Sequence, residues 1–233
     1  MSAKTSRQSA HRVALPFASR STPAQASSNG INTVYQVGTA GSLPTLANAS
    51  VIPITILPGF PTGLANAAGV SNPFGIWFAD TNTVYIADEG DGTLANAATS
   101  KVAGLQKWSL VKGVWQLDYV LQNGLGLGVS YGVPGYPTSL NPETDGLRNI
   151  TGKVNSDGTV TIYGITSTVS LNGDQGADPN KLLAITDVLS NLTASGAASE
   201  QFITLDTLDT AKFCAASPSR RLPRRRSLRR WLY

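Results

Sequence analysis

Between residues 73 and 122, apolar and polar side chains alternate in short runs, each stopped by Asp, Asn or Gly. GIWFAD (75–80), TVYIAD (83–88), GLQKWSLV (104–111) and VWQLDYVL (114–121) all carry the period of two expected of strands on a half-buried sheet face. Thr81-Asn82 and Lys112-Gly113 lie between them as turns, and a pair with Gly second fits a type I′ hairpin. The pattern predicts one four-stranded antiparallel sheet with GIWFAD innermost. In its last strand, Trp115, Leu117, Tyr119 and Leu121 are predicted to share one face and fill the gap to a neighbouring sheet.

The same grammar returns downstream. LRNITGKV (147–154), a turn at Asn155–Gly158, TVTIYGIT (159–166), KLLAITDV (181–188) and QFITLD (201–206) read as four more strands, after a Gly/Pro-rich loop over 123–146. Upstream, INTVYQVG and VIPITILPG give two strands. Pro53 has no amide donor, which puts the second of these at an edge. A four-stranded unit repeating every 40–50 residues or so is the signature of a β-propeller. The expected fold is therefore all-β: a partial β-propeller of about two and a half four-stranded antiparallel blades over 31–210. Residues 1–30 are expected to be a disordered basic leader, and 211–233 a disordered basic tail. Closed propellers have about four to eight blades. The ordered part is thus expected to be a fragment of a longer protein, or to self-associate to complete the ring.

Composition changes the picture in one respect. Of 233 residues 41% are hydrophobic and only 14% charged, so Ser, Thr, Asn and Gly must carry the surface. The net charge of +4 conceals a split, because 4 basic residues fall in the first twenty positions and 8 in the last twenty-two. The stretch 21–211 holds 6 basic and all 14 acidic residues, a balance of about −8. An acidic body is not a nucleic-acid groove, and nucleic acid is not an expected partner. No apolar run approaches the roughly 18 residues of a membrane span. The N-terminus shows no signal-peptide core, so the chain is expected in the cytoplasm if expressed as written. The tail AKFCAASPSRRLPRRRSLRRWLY breaks every earlier pattern. Shifting the reading frame by two bases across Lys212–Ser219 permits Val-Leu-Arg-Gly-Val-Ser-Phe, an apolar strand. The tail therefore reads as out of frame or as a genuine basic peptide.

The only histidine, His11, and the only cysteine, Cys214, lie in the end segments. Ser-His-Asp and Cys-His catalysis and an ordinary zinc site therefore have no residues to stand on. Carboxylates remain. In ADEGDG (87–92), Asp88, Glu89 and Asp91, with Asp80 nearby, are candidate ligands for a hard cation such as Ca²⁺. The same residue types also make turns and keep a surface wet. LNGDQGADPN (171–180) has the same two readings. Gly124–Gly128 lacks a following Lys-Ser/Thr and reads as a loop rather than a phosphate cradle. Trp77, Trp108, Trp115 and Tyr119 either line a sugar or peptide site or pack between sheets. Asn48, Asn149 and Asn191 head Asn-x-Ser/Thr triplets, which matter only in a eukaryotic secretory route.

NPFGIWFADTNTVYIADEG, GLQKWSL, GVWQLDYVLQNG and the later LRNITGKV with TVTIYGIT resemble a group of uncharacterised bacterial β-propeller proteins. These carry a Phe-rich strand ending Ala-Asp, then a Leu-Tyr-Val-Ala-Asp strand, then a Leu-Gln-Lys-Trp strand. Leu57-Pro58-Gly59-Phe60-Pro61 matches a segment that precedes the same blade in them. The likeness covers roughly residues 31–206 and extends more distantly to seven-bladed, NHL-type propellers. It implies a secreted or surface-attached protein and carries over no catalytic residue. The expected function is a binding scaffold whose ligand or protein partner is not specified. The alternatives are a divalent-cation-dependent propeller hydrolase or lactonase, and a non-functional fragment of a disrupted gene.

Overall fold

The computed structural model describes residues 17–20, 31–39, 44–62, 70–169 and 178–207. Three antiparallel sheets account for its strands, each a meander in which sequence neighbours pair. The first sheet holds β1 (Phe17–Arg20), β2 (Thr33–Val37) and β3 (Ile54–Ile56). The second holds β4 (Pro73–Phe78), β5 (Thr83–Asp88), β6 (Gly104–Val111) and β7 (Val114–Leu121). The third holds β8 (Glu143–Val154), β9 (Thr159–Val169), β10 (Lys181–Val188) and β11 (Ile203–Thr207). Among the described residues, helix is limited to α1 (Leu94–Ala97) and one 3₁₀ turn at Thr138–Leu140. The all-β class and the antiparallel sheets are as the alternation required.

Most strand positions follow the sequence pattern, and β6, β7 and β10 coincide with their runs. The Lys112-Gly113 turn has φ of 51° and 83°, both positive as a type I′ hairpin demands. Two departures are local. β8 starts at Glu143 instead of Leu147, because Glu143 and Thr144 pair with Val169 and Thr168 while Asp145 is left as a bulge. β1 falls inside the segment read as a leader, where it pairs with β2. The rest of 1–30 and all of 211–233 lie outside the described residues.

A third departure changes which residues meet. Lys107 pairs with Tyr119 and Trp108 with Leu117, so Asp118 is an extra residue in β7. One inserted residue reverses the faces beyond it. Trp115, Leu117, Tyr119 and Leu121 therefore do not share a face. Tyr119 and Leu121 belong to one core, Trp115 to another, and Leu117 is 44% exposed.

Those two cores lie on opposite sides of the second sheet. On one side Tyr85, Leu105, Tyr119 and Leu121 pack against Leu147, Ile162, Leu183 and Ile185 of the third sheet. On the other, Val84, Ile86, Trp108 and Trp115 pack against Val34, Leu57 and Phe60. Every residue of β5 is consequently buried. The Leu57–Phe60 turn works as a plug. Phe60 stacks on Trp108 with centroids 4.3 Å apart, and the Trp115 amide donates to the Pro58 carbonyl at 2.9 Å.

The second and third sheets also meet at their first strands. A Cβ on Gly75 would lie 2.3 Å from the Arg148 carbonyl oxygen, and one on Gly152 would lie 2.9 Å from the Trp77 ring. Ascending numbers in β4 thus match ascending numbers in β8, so the two strands run side by side in the same direction. β1 in turn adjoins β4. Among the described residues, no pairing joins one sheet to another, so nothing closes them into a barrel.

Candidate functional site

Because β4 and β8 run together, the connections of the second and third sheets sort by end. Tight turns at 79–82, 112–113 and 155–158 lie at one end, while the 189–202 segment leaves that end at Leu189 and reaches Asn123, whose carbonyl accepts from the Phe202 amide at 2.9 Å. The long connections 89–103 and 122–142 collect at the other, together with residues 70–72 and 178–180. Beneath that loop end runs a layer of buried polar side chains, including Ser71, Asn72, Asp88, Glu89, Gln106, Thr144, Asp145, Ser167 and Asp178.

Asp88 is the hub of this layer. It ends β5 and is fully buried. Its Oδ2 accepts from the Ser71 hydroxyl (2.5 Å), the Asn72 amide (2.7 Å) and Gln106 Nε2 (3.0 Å), and its Oδ1 from the Gly90 amide (3.0 Å). Burial pushes this carboxyl up to about 6, against the pull of its donors. Gln106 Nε2 also donates to the Val102 carbonyl (2.9 Å), and its Oε1 accepts from Trp108 Nε1 (3.0 Å). The group fastens the 70–72 and 89–103 segments to the sheet.

The three candidate cation ligands do not converge. Glu89 is buried with Arg148 Nε 3.2 Å from its Oε2. Asp91 is exposed and holds the start of α1, accepting from the Thr93 amide (2.9 Å) and Asn96 Nδ2 (2.7 Å). Asp80, at the opposite end, caps its own turn through the Asn82 amide at 2.7 Å. Among the described residues, no group of three or more acidic, histidine or cysteine side chains is arranged to hold a metal. Asp88 is held by four donors, and its neighbours turn to other partners.

A second polar cluster, which sequence patterning did not disclose, joins the sheets. Lys107 and Asp187, both fully buried, pair at 2.8 Å between Nζ and Oδ2. Nζ also donates to the Tyr119 hydroxyl oxygen and to the carbonyls of Val188 and Leu189, each at 3.0 Å. Tyr119 donates to Asp187 Oδ1 at 2.5 Å, and the Tyr85 hydroxyl donates to Asp187 Oδ2. Burial, then the Asp187 carboxylate, raise both tyrosines far above the usual phenol range. Glu200 accepts from the Val188 amide (3.1 Å) and Asn191 Nδ2 (3.3 Å). Burial and its closeness to Asp187 push Glu200 up to about 7. The only signal in the sequence is a lysine on the core-facing side of β6, which an alternation count scores as surface.

At the loop end the third sheet presents a different arrangement. Tyr136 donates to Asp178 Oδ1 at 2.8 Å, and Tyr131 donates to the Pro179 carbonyl at 2.7 Å. Lys181 Nζ sits 3.9 Å from the centroid of the Tyr131 ring. Asp178 Oδ2, Asn141 Oδ1, Asn180 Oδ1, Thr144 Oγ1 and Ser167 Oγ are buried oxygens with no protein hydrogen-bond partner among the described residues. Of the run 171–180, only residues 178–180 are described.

The remaining candidates have structural roles. Trp77 packs beside Tyr85 with centroids 6.0 Å apart, and Trp108 and Trp115 face Phe60, so all of these aromatics lie between sheets. No helix of the described residues is long and apolar enough to cross a membrane. Compared with protein-family models, with curated proteins and with solved structures, the chain matches none.

Proposed function

We propose that the chain is a partial β-propeller of the secreted or surface-attached bacterial kind, acting as a binding scaffold whose loop end receives the ligand. The observation that carries this reading is the loop end itself. Two neighbouring four-stranded meanders run their first strands side by side, the 89–103 and 122–142 connections meet at one end, and buried side-chain oxygens line it. Functions on propellers are grafted onto such loops. The family reading draws support from the residues that carry the resemblance. Leu105 is core, Gln106 binds Asp88, Lys107 reaches the third sheet and Trp108 stacks on Phe60. Those motif residues build the sheet stack, which is why they mark an architecture without marking a reaction.

The orphaned atoms are mostly acceptors, so the fitting ligand presents hydroxyl or ammonium donors. A glycan array and a basic-peptide library, probed with the full chain, test this. Hits should weaken about tenfold in Asp178→Asn and Tyr136→Phe, each having lost one polar contact. They should persist in Asp157→Asn, at the turn end. Equal loss from both ends would refute the loop-end assignment.

A further inference from the structure

The third sheet buries one face against the second and leaves part of the other open. By register, Tyr163, Ala184 and Ile203 form a row across β9, β10 and β11 on that outer face. Leu182 and Val188 lie on the same face of β10. Tyr163 is 42% exposed, Leu182 36%, Val188 40% and Ile203 55%. Large apolar side chains grouped in adjoining rows at such exposure mark an association surface, unlike single exposed residues.

Charges frame the patch. Lys153, opposite Thr161, stands on the outer face at the turn end of β8. Asp206, opposite Leu182, stands on the same face at the loop end of β11. Both are exposed. They occupy diagonally opposite corners of a near square: three strand spacings span about 14 Å, and the four residues from Leu182 to Thr186 about 13 Å. The Tyr163–Ala184–Ile203 row crosses its middle.

We propose that this face binds the same face of a second copy, in a two-fold dimer with the two sheets crossed at about a right angle. A two-fold axis along the other diagonal of the square exchanges the charged corners. Lys153 of each copy then meets Asp206 of its partner, twice, while Tyr163, Leu182 and Ile203 are covered. Each copy contributes about 400 Å², four strands by some six residues. Such an area belongs to the class of weak, reversible contacts. The dimer is therefore concentration-dependent.

Sedimentation velocity on the full chain, from micromolar to submillimolar concentration, tests this. The expected result is a reversible monomer–dimer equilibrium that weakens with added salt. Ile203→Glu should raise the dissociation constant at least about tenfold, since it buries a charge on an apolar contact. Near-UV circular dichroism shows whether that variant keeps its fold. The surface substitution Lys153→Asp should weaken the dimer about fivefold, and Lys153→Asp with Asp206→Lys should restore it. A chain that stays monomeric throughout, one that forms larger assemblies, or a charge exchange that fails to restore affinity would overturn the proposal.

Discussion

At the scale of the residue, Lys107 is the most consequential side chain in the molecule. Its stem emerges from the second sheet and its ammonium ends on Asp187 and two carbonyls of the third. A buried pair offers little net stability over apolar substitutes, yet removing one partner leaves the other charge stranded. Lys107→Met should therefore cost about 3–5 kcal/mol in guanidinium unfolding. Adding Asp187→Asn should recover about half of that, because a neutral amide needs no cation and still accepts from a tyrosine. A single variant within about 1 kcal/mol of the parent would show the pair to be peripheral. The sequence pattern placed Lys107 on a strand. It carried no sign that the lysine faces inward, because its partner lies 80 positions away.

At the scale of the element, stacking depends on how closely β4 and β8 approach. Gly75 leaves no room for a methyl group, since its Cβ would meet the Arg148 carbonyl at 2.3 Å. Gly75→Ala must push the two backbones apart, and overpacking of this kind costs about 3 kcal/mol. Gly132→Ala is the control, with nothing within 4 Å of its added atom. That control should change stability by less than about 0.5 kcal/mol. Equal effects in thermal unfolding would mean that the sheets do not meet at their first strands. The bulge at Asp118 belongs to this scale too. It lets one strand serve two cores, sending Trp115 to the Phe60 side and Tyr119 to the third-sheet side. A period-two count places Trp115, Leu117, Tyr119 and Leu121 on one face, because a bulge adds a residue without any mark in composition.

At the scale of the whole molecule, two carboxyls, Asp88 fully buried and Glu200 partly so, set the pH response. Asp88 is raised from 3.8 to about 6 and Glu200 from 4.5 to about 7, both chiefly by burial. The folded chain therefore holds these protons more tightly than the unfolded chain does. Stability falls as pH rises through those windows and levels above them. The Asp88 shift of about two units corresponds to about 3 kcal/mol, or several degrees of melting temperature. Tm should drop between about pH 4 and pH 7, and Glu200→Gln should remove the upper part of that fall. A melting temperature that climbs over this interval would contradict the assignment. Asp88 also shows why the candidate cation site could not be judged from the chain alone. Asp-Glu-Gly-Asp-Gly has the composition of a ligand loop. Only the fold reveals that the first carboxylate is enclosed by Ser71, Asn72, Gln106 and Gly90, and that Glu89 and Asp91 turn to Arg148 and Asn96.

The amino-acid order by itself determined where the chain extends and where it turns, because side-chain alternation and the φ preferences of residues such as Gly113 act between near neighbours. The hairpins β4–β5, β6–β7 and β8–β9 follow from the short turns that join them. What only the tertiary structure decided was which faces meet: the two cores flanking β5, the reversal at Asp118, the burial of Lys107 with Asp187, and the gathering of long loops at one end. Those choices depend on contacts between segments tens of residues apart, whose energies arise when the sheets stack and have no local period in the sequence.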